Sequence, residues 1–414
     1  MKKFSGWPRG MDNIHSDTEI AADSLRRAVN VDVHDGGNLT RRKGYTQVLA
    51  VPNAHSFYSK GDSSFFVADN TMYRFFPDGT AMAIGTVPTG TNRVHYETTA
   101  GATFFTSKTA RGKIVNDALD DWGVEVPLSV PTVVATVGAG TLRAGTYHAV
   151  VTYVLADGRE SGASASAMAT LTADGAIIFT GMPIPTQPGV VSKRVYMTQP
   201  DGDQYYNVAT VGAGASVAGV TGYGAELRTR LLSPPPYGTA IASTLGRIFI
   251  ASGKFVRYTD ALDYEHVNLW ASFYQFPADV TVIAGVGDGL YVCADKTYFI
   301  AGAGDKEARS KEIADFGAFP GTLSYLPNSL EPIWFTERGA VIGGEGGSMN
   351  VVSVSLKAGE QATTHIHPGK MVDAASMVRE EDGVRQFVVV GQQTEASSLQ
   401  CGSYAEAEII RRAQ

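Results

Sequence analysis

Along this chain a glycine or proline is repeatedly followed by a short run of large apolar side chains. Gly61 precedes Phe65-Phe66-Val67-Ala68, Gly101 precedes Phe104-Phe105-Thr106, and Gly246 precedes Ile248-Phe249-Ile250-Ala251. Gly289 precedes Leu290-Tyr291-Val292-Cys293-Ala294, Pro332 precedes Ile333-Trp334-Phe335-Thr336, and Gly383 precedes Phe387-Val388-Val389-Val390. In most units a polar turn and a second strand-like run come next, as in Tyr73-Arg74-Phe75, Phe255-Val256-Arg257-Tyr258 and Tyr298-Phe299-Ile300. Runs of this length between turn residues are buried strands. Their starts mostly fall about 40 to 50 residues apart, the period of propeller blades. The 46 glycines and 18 % charged residues suit many short strands joined by tight turns. The fold class is therefore all-β, a β-propeller of about six blades.

One interval breaks the period. Between Gly101 and Gly246 there is room for a further domain of about 100 residues. Pro127 to Pro131 opens this insert and Ser233-Pro234-Pro235-Pro236 closes it, both with linker composition. Within it, Thr146 to Val154, Gly175 to Phe179, Lys193 to Thr198 and Tyr205 to Ala209 read as strands, with turns at Asp157-Gly158 and Asp201-Gly202. That spacing describes a β-sandwich, and without a Cys-Trp-Cys framework it points to the fibronectin type III variety. The expected organisation is an N-terminal arm and first blades over 1–130, the inserted sandwich over 131–230, and the remaining blades over 231–414.

The chemistry-bearing residues are sparse. Gly138-Ala139-Gly140, Gly285 to Gly289 and Gly343 to Gly347 lack the Gly-Lys-Ser/Thr ending of a phosphate loop and read as hairpin turns. His365-Ile366-His367 could share an ion from one strand face, but no third ligand is evident nearby. Asp260, Asp263 and Glu265 lie among Tyr258 and Tyr264, the acid–aromatic mixture of a glycosidase cleft, or simply a polar loop at a blade rim. There is no nucleophile elbow or Ser-His-Asp signature. Cys293 and Cys401 give neither a disulfide framework nor metal-ligand spacing and read as small buried residues. No catalytic residue, metal site or cofactor is expected. The formal net charge of −7 gives no overall attraction to nucleic acid or anionic lipid. The first residues lack the apolar core of a signal peptide, and no run of about 18 apolar residues suggests a membrane anchor. Synthesis and folding in the cytoplasm are expected.

Before the first blade, Leu25 to Thr46 reads as a hairpin. Val29, Val31 and Val33 alternate with polar residues, Asp35-Gly36-Gly37 turns the chain, and Arg41-Arg42-Lys43 leads to Gly44-Tyr45. Its two strands are expected to complete a blade begun at the C-terminal end, as propellers often close. Arg41, Arg42 and Lys43 are candidates for an inter-subunit or adaptor interface, against the plainer reading of a solvated strand end.

Arg9-Gly10-Met11-Asp12-Asn13, then Ala28-Val29-Asn30-Val31-Asp32, the glycine turn and Arg41-Arg42-Lys43-Gly44-Tyr45 resemble the opening of bacteriophage virion proteins. Gly289-Leu290-Tyr291-Val292 and Ile333-Trp334-Phe335-Thr336 with Gly339 resemble propeller strands of the same proteins, the tail nozzle or tail-hub proteins of short-tailed phages. The resemblance implies a structural virion protein of the tail, made in the host cytoplasm. It implies copies assembled as a hexameric ring below a tail adaptor protein, with tail fibres as further partners, and a channel through which DNA passes without being specifically bound. The sandwich insert departs from the simplest family pattern. A competing reading is a host-receptor or glycan-binding module at the tail tip, with Tyr147, Tyr205 and Tyr206 as sugar platforms. A third is a propeller glycosidase acting through Asp260, Asp263 or Glu265.

Overall fold

The computed structural model describes residues 6–7, 16, 18–25, 31–33, 38–41, 46–351, 371–381, 384–393 and 404–405. Within them the fold is all-β, with a single 3₁₀ turn at Glu345–Gly347. Five four-stranded antiparallel sheets each run as a meander in chain order. The first blade is His55–Lys60, Ser63–Ala68, Thr71–Phe75 and Ala81–Thr86. The second is His95–Thr99, Ala102–Thr106, Arg111–Val115 and Ala118–Asp120. The third is Ala240–Thr244, Arg247–Ser252, Phe255–Tyr258 and Phe273–Gln275. The fourth is Val282–Val286, Gly289–Cys293, Thr297–Ala301 and Arg309–Ala314. The fifth is Ser324–Tyr325, Pro332–Thr336, Gly339–Gly343 and Met349–Val351. A three-stranded sheet of Met371–Glu381, Val384–Gln393 and Tyr404–Ala405 follows.

The apolar runs of the sequence are the second strands of these sheets, and their side chains explain why apolar residues are not diluted by polar ones. A strand sends alternate side chains to opposite faces, and in the second to fifth blades each face meets a neighbouring sheet. Ile248 and Ile250 pack with Phe104 and Trp122 beside the second blade, whereas Phe249 and Ala251 pack with Leu290 and Val292 of the fourth. Tyr291 and Cys293 turn the other way, onto Trp334 of the fifth blade. Ile333 and Phe335 in turn meet Phe387 and Val389 of the last sheet. Phe65 and Val67 of the first blade share a core with Phe105 and Ile114 of the second. The sheets are thus stacked face to face in chain order, which is the packing of a β-propeller.

The first strands converge on a polar hub. Lys60 Nζ donates to Glu97 Oε1 at 2.7 Å, and Ser243 Oγ donates to the same oxygen at 2.9 Å. Tyr58 Oη donates to Thr98 Oγ1 at 2.9 Å, and Tyr325 Oη accepts from the Gly285 amide at 3.1 Å. These bonds involve the first strands of all five four-stranded blades, linking the first, second and third together and the fourth to the fifth. Burial raises the Glu97 carboxyl above the ordinary carboxylate range, opposed by the Lys60 charge and the hydrogen bonds from Lys60 and Ser243. Arg93, in the approach to the second blade, donates to the backbone carbonyls of Ala374 and Gly321, tying the early blades to the last ones.

Two expectations about the chain ends meet the structure differently. Val31–Val33 pairs with Leu39–Arg41, as the hairpin reading requires. Among the described residues, however, this hairpin is a two-stranded sheet by itself. The third strand beside Val384–Gln393 is Tyr404–Ala405, from the chain's own end. Arg42, Lys43, His365, His367 and Cys401 lie outside the described residues.

The insert is a two-layer sandwich. Thr132–Leu142, Gly175–Thr180 and Ala218–Gly219 form one sheet, and Ala167–Leu171, Gly145–Leu155, Val190–Thr198 and Tyr205–Gly212 form the other. Its core sets Val133, Ile177 and Phe179 of the first sheet against Tyr147, Val151, Val195 and Val208 of the second.

The two-sided burial of the second strands makes an energetic difference that can be measured. Phe249, 0 % exposed between two blades, should cost about 3–5 kcal/mol when replaced by Ala. Phe273, 36 % exposed on the outermost strand of the same blade, should cost under about 1 kcal/mol. Urea titrations of the two variants, followed by tyrosine and tryptophan fluorescence, give the comparison.

Candidate functional site

The densest polar structure in the described molecule lies where the sandwich meets the propeller. The Asp157-Gly158 turn, at the end of the long strand Gly145–Leu155, presents Arg159. The turn is set by Asp157, whose Oδ1 accepts from the Arg159 amide at 3.0 Å and whose Oδ2 accepts from Nε at 2.7 Å. With Nε held, the two terminal nitrogens face the propeller. Nη2 is shared between both oxygens of Asp120 at 3.1 and 3.0 Å, a charge-assisted contact from a single nitrogen. Nη1 donates to the Asp121 carbonyl at 2.7 Å and to Glu265 Oε2 at 3.2 Å.

Glu265 is the counterpart on the third blade. It accepts from Lys113 Nζ, from the Gly123 amide at 2.8 Å and from Arg159. Lys113 also lies 3.4 Å from Asp120. Beneath this network Trp122, 1 % exposed, donates to the Tyr264 carbonyl at 2.6 Å and packs at a tilt against Phe104. Ser233, on the returning linker, exchanges two backbone hydrogen bonds with Val267. Gly162 marks the closest approach: a Cβ there would lie 1.7 Å from the Leu232 carbonyl oxygen. Only glycine lets the linker pass so near.

His266 completes the clasp. Its Nδ1 lies 3.1 Å from Asp263 Oδ2 and its Nε2 lies 2.8 Å from the Glu160 carbonyl of the sandwich. Both partners are acceptors, so both contacts are hydrogen bonds only when both ring nitrogens carry protons. Burial opposes that charge, but the bonds to Asp263 and Glu160 and the charges of Asp263 and Glu265 outweigh it and raise the pKa. The same pairing lowers the Asp263 carboxyl. Glu160 in turn accepts from Thr152 at 2.6 Å and Tyr196 at 2.8 Å and pairs with Arg194.

The acid trio singled out from the sequence is therefore dispersed among different partners. Glu265 belongs to the ion network, Asp263 holds His266, and Asp260 sits at the surface 3.9 Å from Arg247. Of the three tyrosines, Tyr147 and Tyr205 are buried at 1 % and 5 % exposure, and Tyr206 meets Tyr223 edge to face. Arg41 is exposed at the end of the hairpin. Cys293 is a free buried thiol whose pKa burial pushes up to about 12. Among the described residues no group of three or more His, Cys, Asp or Glu could hold a metal ion. No helix among them is long and apolar enough to cross a membrane. Sequence reading passed over Lys113, Arg159 and His266. The available signal was the charge cluster Asp157 to Glu160 in an otherwise charge-poor insert.

Two outcomes test the clasp. Arg159→Ala strands the partly buried Glu265 and Asp120 and should lower stability by about 2 kcal/mol in urea titration. Because the folded pKa of His266 is raised, its stabilisation is full below about pH 6.5 and is lost as pH rises through the folded value. The melting-temperature gap between wild type and His266→Gln should accordingly be wide at acidic pH and narrow on the alkaline side.

No family model matches the chain, and no curated protein matches it. Among solved structures, the Pan2 WD40 domain of Neurospora crassa is similar at 8 % identity, covering 81 % of this chain and 85 % of that one, with a TM-score of 0.31. The AfRom2 CNH domain is similar at 9 % identity over 93 % and 95 %, with a TM-score of 0.31. The WD40 β-propeller domain of Doa1 is similar at 12 % identity over 80 % and 85 %, with a TM-score of 0.27. All three scores lie below one half, so the propeller architecture rests on the strand order and the packing between blades.

Proposed function

We propose that the chain is a structural component of a short-tailed phage tail, a nozzle or hub protein that assembles as a ring of six copies below the adaptor. The observation that carries this reading is the N-terminal hairpin sequence, Ala28 to Tyr45, placed ahead of a propeller. The clasp supports it. Arg159, Glu265 and His266 fasten the sandwich to the second and third blades, which suits a subunit that presents both parts to neighbours in a fixed orientation. The insert is read as a fibronectin type III-like module that meets a fibre or another tail protein. Arg41, Arg42 and Lys43 are assigned to the contact with a neighbouring copy or the adaptor. Ring closure follows from a heterologous interface whose rotation closes. DNA passes through the assembled ring without specific binding, and an overall charge of −7 disfavours its retention.

Electron microscopy of the purified protein, alone and with an adaptor ring, tests the proposal. Closed rings in at least one preparation are expected, together with the protein in purified virions. A strictly monomeric protein in both preparations, absent from virions, overturns it. Reversal of Arg41, Arg42 and Lys43 to Glu should leave the melting temperature unchanged and reduce ring or adaptor assembly at least tenfold.

A further inference from the structure

A groove of about 440 Å³ opens between the sandwich and the third blade, within the usual range of ligand clefts. Its floor is Val126, Val150, Ala163 and Leu232. Val150 and Ala163 also pack with Tyr196, Tyr205 and Leu227, so the floor is part of a small core. Two large apolar side chains stand at its rim, Trp270 at 82 % and Leu231 at 57 % exposure. Trp270 is bare, yet its loop is fixed: Asn268 Oδ1 accepts from the Trp270 and Ala271 amides at 3.1 and 3.2 Å.

Arg230 is the only charged residue lining the groove. Its Cζ lies 4.6 Å from the ring centre of Tyr205, whose hydroxyl is bonded to Ser166 at 3.0 Å. Among the described residues the guanidinium has no hydrogen-bond or ion-pair partner. An aromatic ring thus orients five N–H donors that face solvent and have no protein acceptor among the described residues.

We propose that this groove docks an extended segment of a partner protein in which a bulky apolar side chain lies beside a carboxylate. The apolar side chain fills the floor against Trp270, and the carboxylate pairs with Arg230. Tryptophan, tyrosine and arginine are the residues on which protein interfaces concentrate their binding energy. A saccharide fits less well, because two of the three lining hydroxyls are engaged, Ser164 with the Val151 amide and the Ala165 carbonyl and Ser166 with Tyr205. A single cation is too little for a polyanion.

The test uses the full chain, immobilised, and a random dodecapeptide display library. Enriched peptides should carry Leu, Phe or Trp within two residues of Asp or Glu. The strongest, labelled and measured by fluorescence anisotropy, should lose affinity at least tenfold with Trp270→Ala and with Arg230→Ala. Arg230→Glu should abolish binding, which returns when the peptide's acidic residue is changed to Lys. All three variants should melt as wild type does, since both side chains are exposed. The proposal is overturned if no peptide is enriched, or if the best peptide binds the Trp270→Ala and Arg230→Ala variants as tightly as wild type. It is also overturned if a neutral oligosaccharide array binds through Trp270, or if the chain self-associates and Trp270→Ala abolishes that association.

Discussion

Every sheet of this propeller depends on a strand that is buried on both faces. Leu290 and Val292 serve one interface while Tyr291 and Cys293 serve the next, so one short strand belongs to two cores at once. The hydrophobic effect acts on area removed from water, and a strand between two sheets loses nearly all of its apolar area. No blade can be stable by itself under that arrangement, because half of its core is supplied by each neighbour. Long-range order along the chain follows from this sharing: the second to fifth blades stack in sequence because each of their second strands is completed by the sheet before and the sheet after.

The same fact explains what could be read from the sequence. Gly289 to Cys293 and Pro332 to Thr336 stand out because all of their positions are buried, which leaves no room for polar residues. The outermost strands are different. Arg309–Ala314 is exposed for most of its length, so its sequence is indistinguishable from a loop. The first strands were hidden for another reason. His95–Thr99 and Ser324–Tyr325 carry polar side chains turned toward the hub, where hydrogen bonding replaces apolar packing. Periodicity thus located each blade and missed its two ends.

The junction was illegible for a physical reason of a different kind. Arg159 and Glu265 are over a hundred residues apart, and nothing local couples them. Each reads as a surface charge until folding brings the sandwich hairpin over the third blade. Asp260, Asp263 and Glu265 looked like a glycosidase cleft because carboxylates among tyrosines are what sequence shows of one, while the basic partners that Asp263 and Glu265 actually hold lie elsewhere in the chain or read as ordinary surface residues. Geometry separates the two. Here one carboxylate orients an imidazole and the other gathers a lysine, an arginine and a backbone amide. The linkers explain why such a clasp is useful. Two Pro-rich connections alone would leave the insert free to swing, whereas charged contacts on both sides of the crossing set its orientation.

The polar hub bears on where anything could pass through an assembly of this chain. Lys60 and Ser243 both come within 2.9 Å of Glu97 Oε1, and Tyr325 reaches the backbone at Gly285. A bore lined by such contacts is plugged by its own side chains. Even the grooves of a nucleic-acid duplex are about 6 and 12 Å wide, and the duplex itself is wider. On the proposed reading, a conduit would be a space enclosed by several subunits and not the hub of a single propeller. Its width would then follow from the number of copies in the proposed ring, and the internal symmetry of the propeller would have no part in it.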